Sequence, residues 1–351
     1  MDVIKYLTEA TQQGASDIFI VVGRPLSIKV NGVLQELTDT KILPADAKEF
    51  IEKIYELEGH RDIKHLTDTG DDDFSFAIRG VSRFRVSVYR QRGSLAAVVR
   101  VITFELPKPS EIGIGPEVLA LSDYSKGLVL VTGPAGSGKS TTLASIIDRI
   151  NETREGHIIT LEDPLEYLHS HKKSIVSQRE VGLDTGSYLS ALRAALRQSP
   201  DAILLGEMRD YETIQVAMTA AETGHLVLST LHTIGAANTI DRIIDVFPPE
   251  QQRQIAVQLA TVLRSVVSQQ LVPTVEGKQV PVFERMTVTP AIRNIIRESK
   301  FHQIDGMVYA AGGGDMFSMD SSLLKLYKSG KITSDTALRY ASNRDMLSKK
   351  L

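Results

Sequence analysis

The chain contains no cysteine, which removes disulfide frameworks, thiolate metal sites and a cysteine nucleophile, and fits a reducing compartment. It lacks an excess of either charge: 40 Lys and Arg stand against 43 Asp and Glu, a formal net charge of -3. That disfavours wholesale electrostatic binding of nucleic acid while leaving local basic patches open. No run approaches about 18 uninterrupted apolar residues, so the sequence offers no membrane-spanning helix. The opening, MDVIKYLTEATQQGASD, has neither the basic start nor the apolar stretch of a signal peptide. Internal repeats and low-complexity tracts are absent as well. What remains is an ordinary globular composition, 42% hydrophobic and 24% charged over 351 residues, long enough for two domains with separate cores. The expectation is a soluble, cytoplasmic, two-domain protein without membrane insertion.

Residues 1–105 alternate short strand-like and helix-like pieces and read as a small α+β domain. An apolar run makes 17–22 a buried strand, and 26–34 reads as a hairpin turning at Asn31-Gly32. Over 46–57, Phe50, Ile51, Ile54 and Leu57 fall at helical spacing. Over 81–89, Phe84, Val86 and Val88 alternate with Arg83, Arg85 and Ser87, so one strand face is apolar and the other basic. A turn at Gly93 leads into a second strand through Val98, Val99 and Val101. The Pro- and Gly-dense segment 106–116 reads as a stiffened linker. Beyond it, four apolar runs at 128–131, 158–161, 202–205 and 226–228 lie between helical stretches. Such runs suit a parallel sheet buried on both faces, so 117–351 is expected to be an α/β domain. Each run ends in polar or glycine-rich residues, at Gly133 to Ser140, Glu162-Asp163, Glu207 and His232. Ligands of open α/β sheets bind beyond the carboxyl ends of the strands.

Gly133-Pro134-Ala135-Gly136-Ser137-Gly138-Lys139-Ser140-Thr141 matches G-x-x-x-x-G-K-[ST], between an expected strand over 127–131 and an expected helix over 141–150. Glycines let the backbone wrap phosphates closely, with N–H groups and a helix N-terminus facing the anion. Lys139 then bridges the β and γ phosphates and the Ser140 hydroxyl ligates Mg²⁺. The ligand is a nucleoside triphosphate, and with no N-K-x-D segment for guanine, ATP is the default. Hydrolysis requires a group that holds water in line with the γ phosphate. Glu207 follows an apolar strand, with Gly206 where many P-loop enzymes carry the Mg²⁺-linked Asp. It acts on the metal through water or positions the attacking water. Glu162-Asp163 closes another strand and supplies a further carboxylate. His225 and His232 flank the strand 226–231 and read either as a γ-phosphate sensor or as structural histidines; a zinc site lacks a third ligand. Arg193 and Arg197 share one face of a helix over 188–197. Arg83 and Arg85 share a strand face, with Arg90 and Arg92 just beyond. An arginine delivered by another domain or subunit is worth roughly 10³–10⁵ in rate in related chemistry; the competing reading is a solvated strand face.

These segments resemble the secretion and pilus ATPases of the type II/type IV family over nearly the whole chain. Gly14-Ala15-Ser16-Asp17 and the following hairpin are similar to that family's N-terminal domain, described as PAS-like. Residues 158–167 resemble its Asp box, 206–210 its Walker B motif, and Thr223 to Val227 with Thr230 to Thr233 its His box. Ala291 to Glu298 is similar to the helix that marks the family's pilus-retraction motors. There Thr289 is placed to cap and Pro290 to open the helix. Ile292, Ile295 and Ile296 form an apolar stripe that leaves Arg293, Asn294 and Arg297 opposite. The resemblance implies a hexameric ring of RecA-like P-loop ATPase domains, hydrolysing Mg-ATP with nucleotide near a neighbouring subunit. The ring would drive type IV pilus retraction and twitching motility. It would act on an inner-membrane platform protein, and indirectly on pilin, from the cytoplasmic face of the membrane. Arg83 and Arg85 match the family's R-F-R segment that reaches the phosphates, and Arg193 and Arg197 its arginine-rich helix. Glu162 matches the acid that activates water and Glu207 the Walker B acid, with Lys139 and His232 completing the catalytic set. Ala135 in place of Thr, Phe19 in place of His, and the stretch 307–319 depart from the family pattern. Other readings are a pilus-assembly or secretion ATPase of the same family and a nucleotide-gated adaptor with negligible hydrolysis. A RecA-like nucleic-acid motor is a third, although no DNA-reading motif is evident.

Overall fold

The strict alternation over Arg83 to Val88 produces the strand it demands, with Phe84, Val86 and Val88 fully buried and Arg83 and Arg85 only partly so. The computed structural model describes residues 2–30, 32–59, 61–102, 106–208 and 210–351. Contacts divide the chain into two compact units, Met1–Glu105 and Leu106–Leu351.

The first unit carries a six-stranded antiparallel sheet. Its strands are β1 (Ala15–Ile20), β2 (Pro25–Val30), β3 (Val33–Lys41), β4 (Asp71–Ile78), β5 (Ser82–Gln91) and β6 (Ser94–Ile102), in the order β3-β2-β1-β6-β5-β4. β1 begins two residues before the expected strand at 17. The hairpin pairs Val30 with Val33; Asn31 of its expected turn lies outside the described residues. The helix Pro44–Glu58 starts ahead of the expected 46 because Asp46 Oδ2 accepts from Leu43 N at 2.9 Å. One sheet face packs with Leu7, Phe50, Ile51 and Ile54 from the helices Val3–Gln12 and Pro44–Glu58. On the opposite face, register places Arg85 across from Arg100 and Arg100 across from Asp17. An ion pair of 3.1 Å joins Arg100 to Asp17.

The second unit carries a seven-stranded sheet in the order β13-β12-β7-β11-β10-β8-β9. The strands are β7 (Gly127–Thr132), β8 (His157–Glu162), β9 (Ile175–Glu180), β10 (Ala202–Leu205), β11 (Leu226–Leu231), β12 (Leu263–Pro273) and β13 (Gln279–Thr287). Neighbours are parallel apart from the β12–β13 pair. Every residue of β7 and β11 is buried, because helices cover both faces. Along β7, Leu128 and Leu130 pack with the helices Tyr211–Glu222 and Pro249–Val262. Val129 and Val131 pack with Leu143, Ile146 and Ile150 of the helix Lys139–Thr153. Within 106–116, Ile114 is buried in this second core, and Gly113 stands against Val280 and Pro281. A smaller cluster seats C-terminal helices on β12 and β13 through Val272, Val282, Met319 and Leu323. Among the described residues no helix is long and apolar enough to cross a membrane.

Candidate functional site

The strand β7 delivers the chain to the glycine-rich loop at its carboxyl end. Gly133, Gly136 and Gly138 adopt φ of 144°, 74° and 86°, a backbone region that side chains with a Cβ rarely enter. Gly138 is the N-cap of the helix Lys139–Thr153, and no side chain caps it. The first-turn amides of Lys139, Ser140 and Thr141 have no acceptor within their own helix. They therefore present a cluster of donors at the positive end of the helix dipole, the arrangement that suits a phosphate. Lys139 is 8% exposed. Its Nζ donates to Gly133 O and Pro134 O, each at 2.9 Å, so the ammonium is held inside the loop. Burial lowers its pKa, while the carboxylates of Glu207 and Glu166 favour the charged form. Ser137 Oγ is buried beneath the loop with no hydrogen-bond partner among the described residues.

Two strands away, β10 ends at Leu205 and places Glu207 near the same loop. The Glu207 side chain is 13% exposed, and its Oε2 lies 3.5 Å from His232 Nε2 just past the end of β11. The glycine at 206 has a steric reason. A Cβ there would stand 2.7 Å from the Tyr188 hydroxyl oxygen, so the tyrosine takes the space that a side chain at 206 would need. Thr230 Oγ1 donates to Gly206 O at 2.6 Å and fixes this turn. Arg209, within the segment that resembles the Walker B motif, lies outside the described residues.

Glu162 closes β8, which the sheet order puts three places from β7, about 14 Å at ordinary strand spacing. Burial pushes its carboxyl up to about 7, and the neighbouring Glu166 adds to the rise. A value near neutrality suits a general base. The chain after Glu162 crosses back toward the phosphate loop: the Tyr167 and Thr141 hydroxyl oxygens are 3.0 Å apart, and Glu166 acts electrostatically on Lys139. The crossing is tied to the loop's helix. Asn151 Nδ2 donates to Ser170 O at 2.7 Å, and Lys172 Nζ donates to Asp148 at 2.8 Å. Glu166 and Tyr167 belong to the motif, but spacing alone does not reveal that they fold over the P-loop. Gln269 on β12 is a further neighbour that sequence reasoning misses. Its Oε1 accepts from Thr142 Oγ1 at 2.8 Å.

Three expected site residues, His225, Arg193 and Arg197, lie elsewhere in the second unit. His225 precedes β11 and sits at the amino edge of the sheet, where its carbonyl accepts from Gly127 N at 2.9 Å. Its Nδ1 donates to Ala220 O at 2.9 Å, closing the end of the helix Tyr211–Glu222. The six residues of β11 separate it from His232, about 20 Å along an extended strand. Within one chain it is a structural histidine, not a phosphate sensor. Arg193 and Arg197 are also away from the loop. The helix Tyr188–Ala195 starts at Gly206 on the carboxyl edge and runs toward the amino edge. There Gln198 O accepts from His157 Nδ1 at the opening of β8, at 2.8 Å. Arg193 faces Glu212 at 3.9 Å, and Arg197 Nη1 donates to Arg193 O at 3.0 Å. Arg83 and Arg85 belong to the first unit, on the sheet face opposite its helices.

The helix Pro290–Arg297 forms as expected, with Thr289 Oγ1 accepting from Ile292 N at 3.3 Å and Ile292 and Ile296 buried. Arg293, opposite the apolar stripe, makes a tertiary contact. Its Nε donates to Ala260 O at 3.0 Å, in the last turn of the helix Pro249–Val262, where a cation meets the negative end of the dipole. Asn294 and Arg297 are the exposed polar pair.

Comparison with known proteins places this geometry. Residues 1–311 match the family described as Type II/IV secretion system protein. The chain is 44% identical over 337 residues to the type IV pilus retractation ATPase PilT of Pseudomonas aeruginosa, covering 96% of this chain and 97% of that one. It is 39% identical over 349 residues to the type IV pilus ATPase PilU of the same organism, covering 99% and 90%. A crystal structure of the pilus retraction motor PilT with bound ADP superposes with a TM-score of 0.92 at 44% identity, over 99% of both chains. The ATPase DotB of Legionella pneumophila superposes with a TM-score of 0.78 at 30% identity, over 95% and 93%. With a parallel α/β sheet, a phosphate loop at its carboxyl edge and end-to-end similarity to these proteins, the chain belongs to the type II/IV secretion system protein family.

Proposed function

We propose that this protein is an ATP-hydrolysing motor that works as a hexameric ring and drives retraction of a type IV pilus. The observation that carries the reading is the phosphate loop itself. An uncapped helix N-terminus and a buried Lys139, flanked by Glu207 and Glu166, lie on a chain similar along its length to retraction ATPases. The amides of 138–141 bind the β phosphate, and the Lys139 ammonium leaves its carbonyl partners for the γ phosphate. Glu162, poised near neutrality, accepts the proton of the attacking water, and Glu207 orients His232 toward the leaving phosphate. Mg²⁺ fits the donors present. The described residues hold no cluster of three or more His, Asp or Glu suited to a metal, and Mg²⁺ characteristically takes one or two protein oxygens plus phosphates and water. Ser140 Oγ would hold it directly and Glu207 through water. When bound it neutralises charge that develops on the phosphate oxygens. Arg193 and Arg197, which lie away from this loop in the same unit, and Arg83 and Arg85 of the first unit act as donors from an adjacent subunit.

Work is done when ordering of the triphosphate favours closure of the two domains, and phosphate loss releases it. The motor acts from the cytoplasm on an inner-membrane platform protein and, through it, on pilin, without nucleic acid. Deletion in the native bacterium tests the direction of work: retraction requires surface pili to accumulate, whereas bald cells would identify an assembly motor. The adaptor alternative requires purified rings that bind ATP but show no single-turnover hydrolysis.

A further inference from the structure

One buried polar group beside the phosphate loop is unused in the scheme above. Gln269 is 2% exposed. Register pairs Ser268 with Thr132, the last residue of β7, so Gln269 stands one residue past the end of that strand, level with the opening of the loop. Its carbonyl oxygen occupies the space that a Cβ on Gly133 would need, and its Nε2 lies 2.9 Å from where a Cβ on Gly138 would sit. The first and last glycines of the loop are therefore pressed against this residue. Its Oε1 accepts the 2.8 Å bond from Thr142 Oγ1, and Thr142 is fully buried in the first turn of the helix.

The neighbouring residue serves the other half of the site. Ser268 Oγ accepts from Gly235 N at 3.0 Å, three positions after His232. Glu284, opposite Ser268 in register, accepts from Ala236 N at 3.1 Å. β12 thus holds both the loop that would grip the phosphates and the turn that follows the histidine. A buried amide is costly unless bonded. An uncharged one has the further property of holding the loop without competing for a phosphate.

We propose that Gln269 is a positioning residue for nucleotide binding: through Thr142 and its contact with Gly133 and Gly138 it sets the distance of the phosphate loop from β12. The inference rests on the nucleotide-site reading above. Its test is a titration of the full-length protein with fluorescent ADP, alongside ligand-free melting and steady-state ATPase measurements. Thr142→Val keeps the side-chain shape and removes the donor; Thr142→Ser keeps the donor. Leaving a buried acceptor unpaired is expected to weaken ADP binding by Thr142→Val at least about fivefold, with KM for ATP rising more than kcat falls. Thr142→Ser is expected to stay within about twofold of wild type. A purely structural role would lower the melting temperature and leave affinity unchanged, which overturns the proposal. Should Thr142→Val fail to fold, Gln269→Met decides, since it keeps the length and neutrality of the side chain and removes the group that accepts from Thr142. Weakened ADP binding supports the proposal and wild-type affinity overturns it. A wild-type protein that binds no ADP refutes the nucleotide-site reading and this inference with it. A wild type and Thr142→Val that bind equally refute this inference alone.

Discussion

Glu162 makes a prediction whose sign differs between stability and turnover. Burial raises its carboxyl from an ordinary 4.5 to about 7, so between those values the folded protein holds a proton that the unfolded chain has released. The group's contribution to stability is therefore full below pH 4.5 and declines as pH rises through 7. The whole difference corresponds to about 3 kcal/mol. Glu162 retains some contact with water, which screens the effect and brings it to about 2 kcal/mol at pH 8. Glu162→Gln removes the charge at nearly constant shape. For a unit of this size, about 2 kcal/mol is a rise in melting temperature of roughly 4–8 °C. At pH 5 the gain should shrink below about 1 kcal/mol. The assay is thermal unfolding of both proteins at pH 5 and pH 8, with ATPase measured on the same preparations. The variant should be more stable at pH 8 and at least about 100-fold slower, as for loss of a general base. A pH-independent difference in melting temperature, or a destabilised variant at pH 8, would refute the assignment of a buried, raised carboxyl.

Other perturbations separate site from scaffold. Gly206→Ala drives a methyl against the Tyr188 hydroxyl at 2.7 Å and should cost about 1–3 kcal/mol in chemical denaturation; the added change Tyr188→Phe should recover much of it. His225→Ala breaks the bond to Ala220 O and should lower stability by about 1 kcal/mol. It should leave kcat of the assembled enzyme within about twofold, whereas a collapse of turnover would restore a phosphate-sensing role. Arg293→Met removes the bond to Ala260 O and is expected to cost about 1–2 kcal/mol, seen as a lower denaturation midpoint with ATPase retained.

The features readable in advance were those with local causes. Four runs of continuous apolar residues became β7, β8, β10 and β11 because each strand is covered on both faces. The rule that ligands gather at carboxyl edges located the phosphate loop, Glu207 and His232. β12 escaped notice because it follows the helix Pro249–Val262 with no intervening residue: the helix ends at Val262 and the strand begins at Leu263. No glycine or proline marks the change of period there. β9 is an edge strand whose sequence, IVSQRE, is too polar to stand out. His225 shows the opposite failure. Seven positions from His232, it seemed part of the same cluster, yet an extended strand carries those positions across the full depth of the sheet. Gln269 and Thr142 are 127 residues apart, and only the crossover that sets β12 beside β7 brings them together. Helical periodicity puts Arg293 opposite the apolar stripe but cannot anticipate a carbonyl arriving from a neighbouring helix end.

The account depends on the loop between β7 and its helix gripping a polyphosphate. Isothermal calorimetry with magnesium and ADP on the purified protein tests this directly, with Lys139→Ala titrated in parallel. Saturable heat from the wild type, abolished or weakened at least about tenfold in the variant, is the result the structure requires. Absence of binding heat in the wild type at several temperatures, or equal affinity in both proteins, would contradict it.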